Sequence, residues 1–327
     1  MLWLYITLGV IGGLVLIDVG VAWFMIFKYM WRCPEFDARQ RLRALGEDWS
    51  EIARQANEGL DWAEAQPLEA VRTVSDSGFE LCGTLMPCPE PTSNVAICVH
   101  GFRSSWRMDY GASARFMQQC GCHVLFPDNR AHGKSGGKFI GFGCSDRYDI
   151  ISWCKYAQDR FGEDCRIMLV GISMGGAAVI SAAGDAGLPS CVRGVISDCP
   201  FSSGWEELAY QMKQLFRLPA FPILHTVDVM LRIFAGYSLR RQRPIDMVSD
   251  IKVPLLLVHG MEDKFVPTEM SERLYSRAVC DKRLLLVKGA GHGVSYCIEP
   301  QLYREAVEEL FELCGMTALC YEKGKNS

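Results

Sequence analysis

Hydrophobic positions fall along this chain in three successive patterns. The first is unbroken: residues 2–27 carry one charge, Asp18, among otherwise apolar side chains. Fifteen of these residues are Leu, Ile, Val or Phe. At about −0.4 kcal/mol each they favour membrane insertion by roughly 6 kcal/mol, against a cost of about 3 for a central Asp. The run exceeds the roughly 20 residues needed to span a bilayer. Trp3, Tyr5, Trp23, Tyr29 and Trp31 sit near its ends, as interfacial anchors do. No basic residue precedes it and Trp23–Phe27 is bulky, unlike a cleaved leader. The pattern predicts a transmembrane anchor over residues 1–30. Asp18 is expected to snorkel or pair, and Gly9-x-x-x-Gly13 is a weak helix-packing signal.

The second pattern has helical spacing. Across 35–66, Leu42, Leu45, Trp49, Ile52 and Ala53 recur on one face of an otherwise charged stretch. This predicts an amphipathic connector over 31–68, lying on the bilayer or on the domain beyond it, with Pro67 as its stop.

The third pattern alternates. Apolar strand-like runs occur at 70–75, 79–86, 95–100, 123–127, 166–171, 194–198, 254–259 and 283–287. Helical stretches fall at about 105–119, 146–161, 175–186, 268–279 and 299–314. Two strands joined across Asp76-Ser77-Gly78 and then a β/α alternation predict an α/β fold over 69–315: eight strands in a mostly parallel, doubly wound sheet. The interval 202–248 is too long for an ordinary connection and is rich in Leu, Met and Phe. It reads as a helical cap inserted over a site, with Trp205, Leu208, Met212 and Phe216 as candidate substrate contacts. Residues 316–327 form a tail whose polar end, Glu322–Ser327, is expected to fray.

Composition narrows the function classes. A net charge of −4 without a long basic run gives no footprint for nucleic acid. The 15 cysteines have no regular spacing and no C-x-x-C, so a disulfide framework or zinc site is disfavoured against reduced, buried thiols. That suits a reducing compartment. Lys28, Arg32, Arg39, Arg41 and Arg43 follow the span, which by the positive-inside rule puts the C-terminal side in the cytoplasm.

The candidate chemistry centres on Gly171-Ile172-Ser173-Met174-Gly175, a G-x-S-x-G pentapeptide between a strand-like run and a helix start. Such a turn presents a serine hydroxyl, which needs a base to become a nucleophile. The histidines downstream are His225, in the cap, His259, at a strand end, and His292, in the Gly-rich loop 288–293 past the last strand. His292 is the expected base. Asp263, past the preceding strand, is the expected acid, with Glu262 beside it and Asp198 as alternatives. The backbone N–H groups of Met174 and Phe102 are the expected oxyanion donors. His100, at a strand end, is expected to shape the loop that carries Phe102.

Over 69–315 the chain resembles the α/β-hydrolase superfamily. The branch is that of serine aminopeptidase-like, monoacylglycerol lipase-like and cinnamoyl esterase-like hydrolases. The resemblance rests on His100-Gly-Phe102, Asp128-Asn-Arg-Ala-His-Gly-Lys-Ser135, Gly171-Ile-Ser-Met-Gly-Gly176, His259-Gly-Met-Glu-Asp-Lys-Phe-Val-Pro267 and Gly289-Ala-Gly-His292, in that order. One departure is Ala131, where the family usually has Gly. The N-terminal anchor is similar to that of membrane-tethered bacterial members. The resemblance implies a Ser173–Asp263–His292 triad that uses neither metal nor organic cofactor.

The leading expectation is a membrane-anchored serine hydrolase cleaving small-molecule or lipid esters with an apolar acyl or aryl group. One alternative is a peptidase or amidase, which needs a cap carboxylate to hold a substrate amine. Glu206 and Glu207 are available, although ordinary helix surface explains them better. Another alternative is a non-catalytic membrane-bound interaction module on the same fold.

Overall fold

The computed structural model describes residues 1–44, 49–241 and 243–316. Leu45 of the connector stripe and the tail from residue 317 onward lie outside the described residues.

The eight expected strands are present, each within a residue or two of its expected bounds: β1 (Glu69–Val74), β2 (Glu80–Met86), β3 (Asn94–Val99), β4 (His123–Pro127), β5 (Arg166–Ile172), β6 (Val192–Asp198), β7 (Leu255–Gly260) and β8 (Lys282–Val287). They form one sheet in the order β1-β2-β4-β3-β5-β6-β7-β8. β2 pairs antiparallel with β1 and β4, and every other pairing is parallel. Successive side chains point to opposite faces, and here both faces are covered. Val124, Phe126, Met168 and Val170 enter one apolar core, and Leu125, Ile167 and Leu169 enter the other.

The N-terminal helix α1 (Leu2–Met25) continues through a wider π turn to Met30. It is the one described helix long and apolar enough to cross a membrane. Residues 2–17 project free of the domain, whereas Ala22, Ile26 and Met30 are buried.

The connector lies on the domain. It consists of α2 (Ala38–Arg43) and α3 (Ser50–Glu64), and α3 buries Ala56, Leu60 and Ala63. Gly59 lets α3 approach so closely that a Cβ there would sit 2.2 Å from the carbonyl oxygen of Gly111. That contact falls where the helix expected over 105–119 divides into α4 (Trp106–Asp109) and α5 (Ala114–Gln119). The connector's charges also bind the domain. Glu64 pairs with Arg107 of the domain and, within the connector, with Arg39, and Arg41 reaches the carbonyl of Arg103. At the start of the connector, Arg32 donates to the carbonyls of Ser135, Gly137 and Gly133.

The sheet is flanked further by α6 (Asp146–Phe161) and α7 (Met174–Ala183). Between β6 and β7 the inserted cap holds α8 (Gly204–Gln211), prolonged by a π turn to Phe216, then α9 (Ile223–Phe234) and α10 (Pro244–Met247). Next come α11 (Glu269–Arg277), α12 (Ser295–Ile298) and α13 (Pro300–Leu313). A third apolar cluster joins the cap to the N-terminal helix: Ile26 and Met30 pack in one core with Phe201, Met212, Leu224 and Leu231.

Candidate active site

Ser173 stands at the carboxyl end of the central strand β5, on the turn into α7, with φ +56° and ψ −117°. A non-glycine residue holds so strained a conformation only when its surroundings impose it. Close backbone approach does so here. A Cβ at Gly171 would lie 2.3 Å from the carbonyl oxygen of Gly175, and one at Gly175 would lie 2.1 Å from that of Val99 on β3. The Ser173 N–H donates to the carbonyl of Asp198 at 2.8 Å, tying the turn to β6.

Asp263 follows β7 and His292 follows β8, so the sheet brings three distant segments to one edge. Ser173 Oγ lies 2.9 Å from His292 Nε2, and His292 Nδ1 lies 2.6 Å from Asp263 Oδ2. The other oxygen, Oδ1, accepts from the N–H groups of Phe265 and Val266 at 2.8 and 2.9 Å. Burial alone would raise the carboxyl's pKa, but hydrogen bonds from His259 and His292 outweigh it and hold Asp263 well below the usual carboxylate range. It is therefore ionised at neutral pH. Asp198 is buried and lacks any contact with a His292 nitrogen, and burial pushes its carboxyl up to about 6. Glu262 is exposed. Of the three carboxylates open from spacing, Asp263 alone meets the histidine.

Phe102 follows β3, and its loop is fixed from several sides. Asp109 Oδ2 accepts from the N–H of Gly101 at 2.6 Å. His100 Nε2 accepts from the N–H of Asn129, and His132 Nε2 from that of Arg103, both at 3.1 Å. His100 thus shapes the loop, as its strand-end place suggested. The turn at 128–135 supplies the last two of these supports through Asn129 and His132, with Arg130 paired to Asp149 below the surface at 2.6 Å. Ala131 in that turn has φ +57°, the left-handed region that favours glycine. The departure from the family pattern therefore carries a local strain.

Two cavities meet at Ser173. One is almost wholly apolar and is lined by Leu208, Met212, Phe216, Leu224 and Val227 of the cap, by Phe102, Phe142 and Phe201, and by Met25, Tyr29 and Met30 of the N-terminal helix. The other is lined by Leu42, Trp49 and Ile52 of the connector, by Met108, Asp109 and Cys297, and by His292 itself. Of the four expected cap contacts, Leu208, Met212 and Phe216 line the apolar cavity. Trp205 does not. It lies at the edge of the α8 stripe, packs against His225 with ring centroids 4.9 Å apart, and carries the Arg240 guanidinium 4.0 Å over its face.

Three residues near the site have surroundings that sequence reasoning missed. Glu207 is 2% exposed rather than a surface residue, and it faces the apolar cavity. Its Oε1 accepts from Gln211 at 2.9 Å while Oε2 has no hydrogen-bond partner among the described residues. Burial pushes the carboxyl up to about 8, so it is mostly protonated at neutral pH. Glu206, by contrast, is paired with Arg273 at the surface. His259 turns back so that its Nε2 lies 3.2 Å from Asp263 Oδ2 and 3.0 Å from the carbonyl of Val266, while Ser271 Oγ donates to its Nδ1 at 2.6 Å. The signal available was its i,i+4 spacing from Asp263. Cys199 brings Sγ to 4.0 Å from His292 Nε2. Cys199, Asp263 and His292 resemble a metal-ligand group by proximity. Yet both imidazole nitrogens are engaged, and burial pushes the thiol pKa well up, so this is a poor ligand set.

A serine at a strained turn after β5, with a carboxylate after β7 and a histidine after β8, defines an α/β-hydrolase-type site. The chain belongs to the alpha/beta hydrolase family, which it matches over residues 96–306. It is 30% identical over 270 residues to the uncharacterized protein YqkD of Bacillus subtilis, covering 80% of this chain and 86% of that one. Among solved structures it is similar to the Pyrococcus furiosus esterase Pf2001, with a TM-score of 0.62 and 24% identity over 76% of this chain and 92% of that one. It is also similar to the Pyrococcus horikoshii acylaminoacyl peptidase, with a TM-score of 0.56 and 19% identity over 82% of this chain and 45% of that one. These likenesses are of fold, and the chain is a hydrolase by family.

Proposed function

We propose that this hydrolase is a membrane-anchored serine esterase acting on carboxylic esters with an apolar acyl group. The observation that carries the reading is the 2.9 Å contact from Ser173 Oγ to His292 Nε2, with Ser173 in the wall of an apolar cavity. Ser173 attacks the ester carbonyl as His292 takes its proton, and ionised Asp263 steadies the imidazolium. The N–H groups of Met174 and Phe102 receive the developing oxyanion. The leaving alcohol must take a proton from His292 Nε2. It therefore belongs in the cavity that His292 lines, and the acyl group belongs in the apolar one. Water then hydrolyses the acyl-enzyme, with His292 again as base.

The helix Leu2–Met30 supplies the anchor, and the basic residues after it favour a cytoplasmic domain. Full-length protein in detergent should label with a fluorophosphonate probe and hydrolyse p-nitrophenyl esters, and Ser173→Ala should abolish both. Unchanged turnover in that variant rejects the assignment. A second reading draws on Glu207, whose unpartnered oxygen suits a hydrogen-bonding group on the acyl side, as in an aminoacyl amide. Faster cleavage of aminoacyl amides than of acyl esters would favour it.

A further inference from the structure

The N-terminal helix is fastened to the cap over a stretch that a membrane must also accommodate. Asp18 accepts a hydrogen bond from Thr226 Oγ1 on α9, and Trp23 stacks on Phe234 with centroids 5.2 Å apart. The free part, residues 2–17, is about 24 Å long at ~1.5 Å per residue. A bilayer's hydrocarbon core is roughly 30 Å thick. If the helix spans, the residues just after Asp18 must also lie in hydrocarbon, and α9 lies beside them. Below that contact Arg32 is bound to three carbonyls of the domain, so the domain cannot swing away on a loose tether.

The surface brought to the membrane is apolar. On the cap tip and the outer face of α9, Leu215 is 64%, Phe221 70% and Ile233 69% exposed. Lys28, Lys213 and Arg217 lie around this patch with no acidic partner among the described residues, as suits an anionic headgroup layer. The patch is also continuous with the interior. Leu215 and Phe216, both exposed, line the same cavity as Ser173. Phe216 meets Tyr29 edge-on at 6.2 Å, so the cavity's outer wall is a seam between the N-terminal helix and the cap.

We propose that this seam is a lateral entry from the bilayer. The cap tip and α9 sit in the outer part of the lipid, the acyl chain of a membrane-resident amphiphile slides between Tyr29 and Leu215–Phe216 toward Ser173, and the polar alcohol portion lies on the connector side. The substrate class is a long-chain acyl ester drawn from the membrane rather than from solution. This rests on the membrane-anchored esterase reading. The span is then part of the substrate site as well as its anchor.

The experiment uses the full chain in phospholipid vesicles and has two arms. In the first, Phe221→p-benzoylphenylalanine is irradiated alongside Val279→p-benzoylphenylalanine, a position equally exposed (71%) but on the connection between α11 and β8. Strong cross-linking to lipid acyl chains at 221 over 279 is expected, and equal yields overturn the membrane placement whether or not the protein hydrolyses esters. In the second, Phe221→Asp combined with Ile233→Asp, both outside the cavity, should slow a vesicle-borne long-chain monoacyl ester by about ten-fold or more. Turnover of soluble p-nitrophenyl acetate should stay within about two-fold. Equal effects on both esters, or none, overturn lateral entry while leaving the esterase reading intact. Absence of soluble-ester turnover and probe labelling in the unsubstituted chain rejects the esterase reading itself.

Discussion

His259 Nε2 lies 3.2 Å from Asp263 Oδ2, the same oxygen that stands 2.6 Å from His292 Nδ1. Two imidazoles thus share one carboxylate oxygen, and the fully buried one is held by Ser271 and the Val266 carbonyl. On the proposed mechanism this contact makes His259 a positioning residue for Asp263. His259→Leu should lower kcat by about ten-fold through loss of that buried hydrogen bond, with KM within about two-fold. Steady-state kinetics with a soluble ester, beside a thermal melt, separate this from misfolding.

Asp263→Asn retains shape but reverses the hydrogen-bonding sense toward Nδ1. A loss of about 10⁴-fold in kcat is expected, by analogy with the serine-protease triad. A loss below about ten-fold would mean that another carboxylate orients His292.

Glu207 makes stability depend on pH in a definite direction. Its carboxyl is raised from 4.5 to about 8, so between those values the folded chain keeps a proton that the unfolded chain has released. Stability from this group therefore falls as pH rises through that window and levels off above it. Asp146 and Asp198, each pushed up to about 6, act in the same sense over a narrower range. Glu207→Gln should flatten the upper part of the curve and raise the urea midpoint at pH 8 above that of the unsubstituted protein. Identical midpoints for the two proteins at that pH would contradict the buried, protonated state.

Gly175→Ala would force a Cβ to 2.1 Å from the Val99 carbonyl oxygen, which is β3 backbone and has little room to yield. A destabilisation of about 3 kcal/mol or more is expected, readable by denaturant titration.

Leu208 and Met212 stand on the cap wall of the apolar cavity. Leu208→Trp should fill it and shift preference to short acyl chains. The ratio of long- to short-chain kcat/KM should fall by about ten-fold or more, since each displaced methylene is worth about 1–3 kcal/mol. An unchanged ratio would place the acyl chain elsewhere.

Strand positions and the placing of Ser173, Asp263 and His292 were legible because they depend on local pattern. An apolar run ending in a Gly-rich or acidic loop marks the carboxyl edge of the sheet wherever the strand lies in it. The side chains that misled depend on tertiary contact instead. Glu207 and Glu206 are neighbours on α8, and nothing local says that one turns inward and the other meets Arg273. Trp205 shares the stripe of Leu208 and Met212, but His225 and Arg240 claim its ring. The connector's hydrophobic face fitted bilayer or domain equally. The decision came from Gly59 against Gly111, a contact between residues 52 apart in the chain. The same limit hid Met25, Tyr29 and Met30, whose spacing in a membrane helix says nothing about a cavity.

The stretch shared with the family, residues 96–306, contains Ser173, Asp263 and His292. It does not contain Met25, Tyr29 and Met30, which wall one cavity, or Leu42, Trp49 and Ile52, which wall the other. The walls of both cavities are thus written partly outside the stretch that carries Ser173, Asp263 and His292. On the proposed reading, exchanging the first sixty residues between relatives should shift substrate preference while leaving Ser173, Asp263 and His292 in place. Kinship judged on residues 96–306 alone therefore leaves out part of the wall of both cavities.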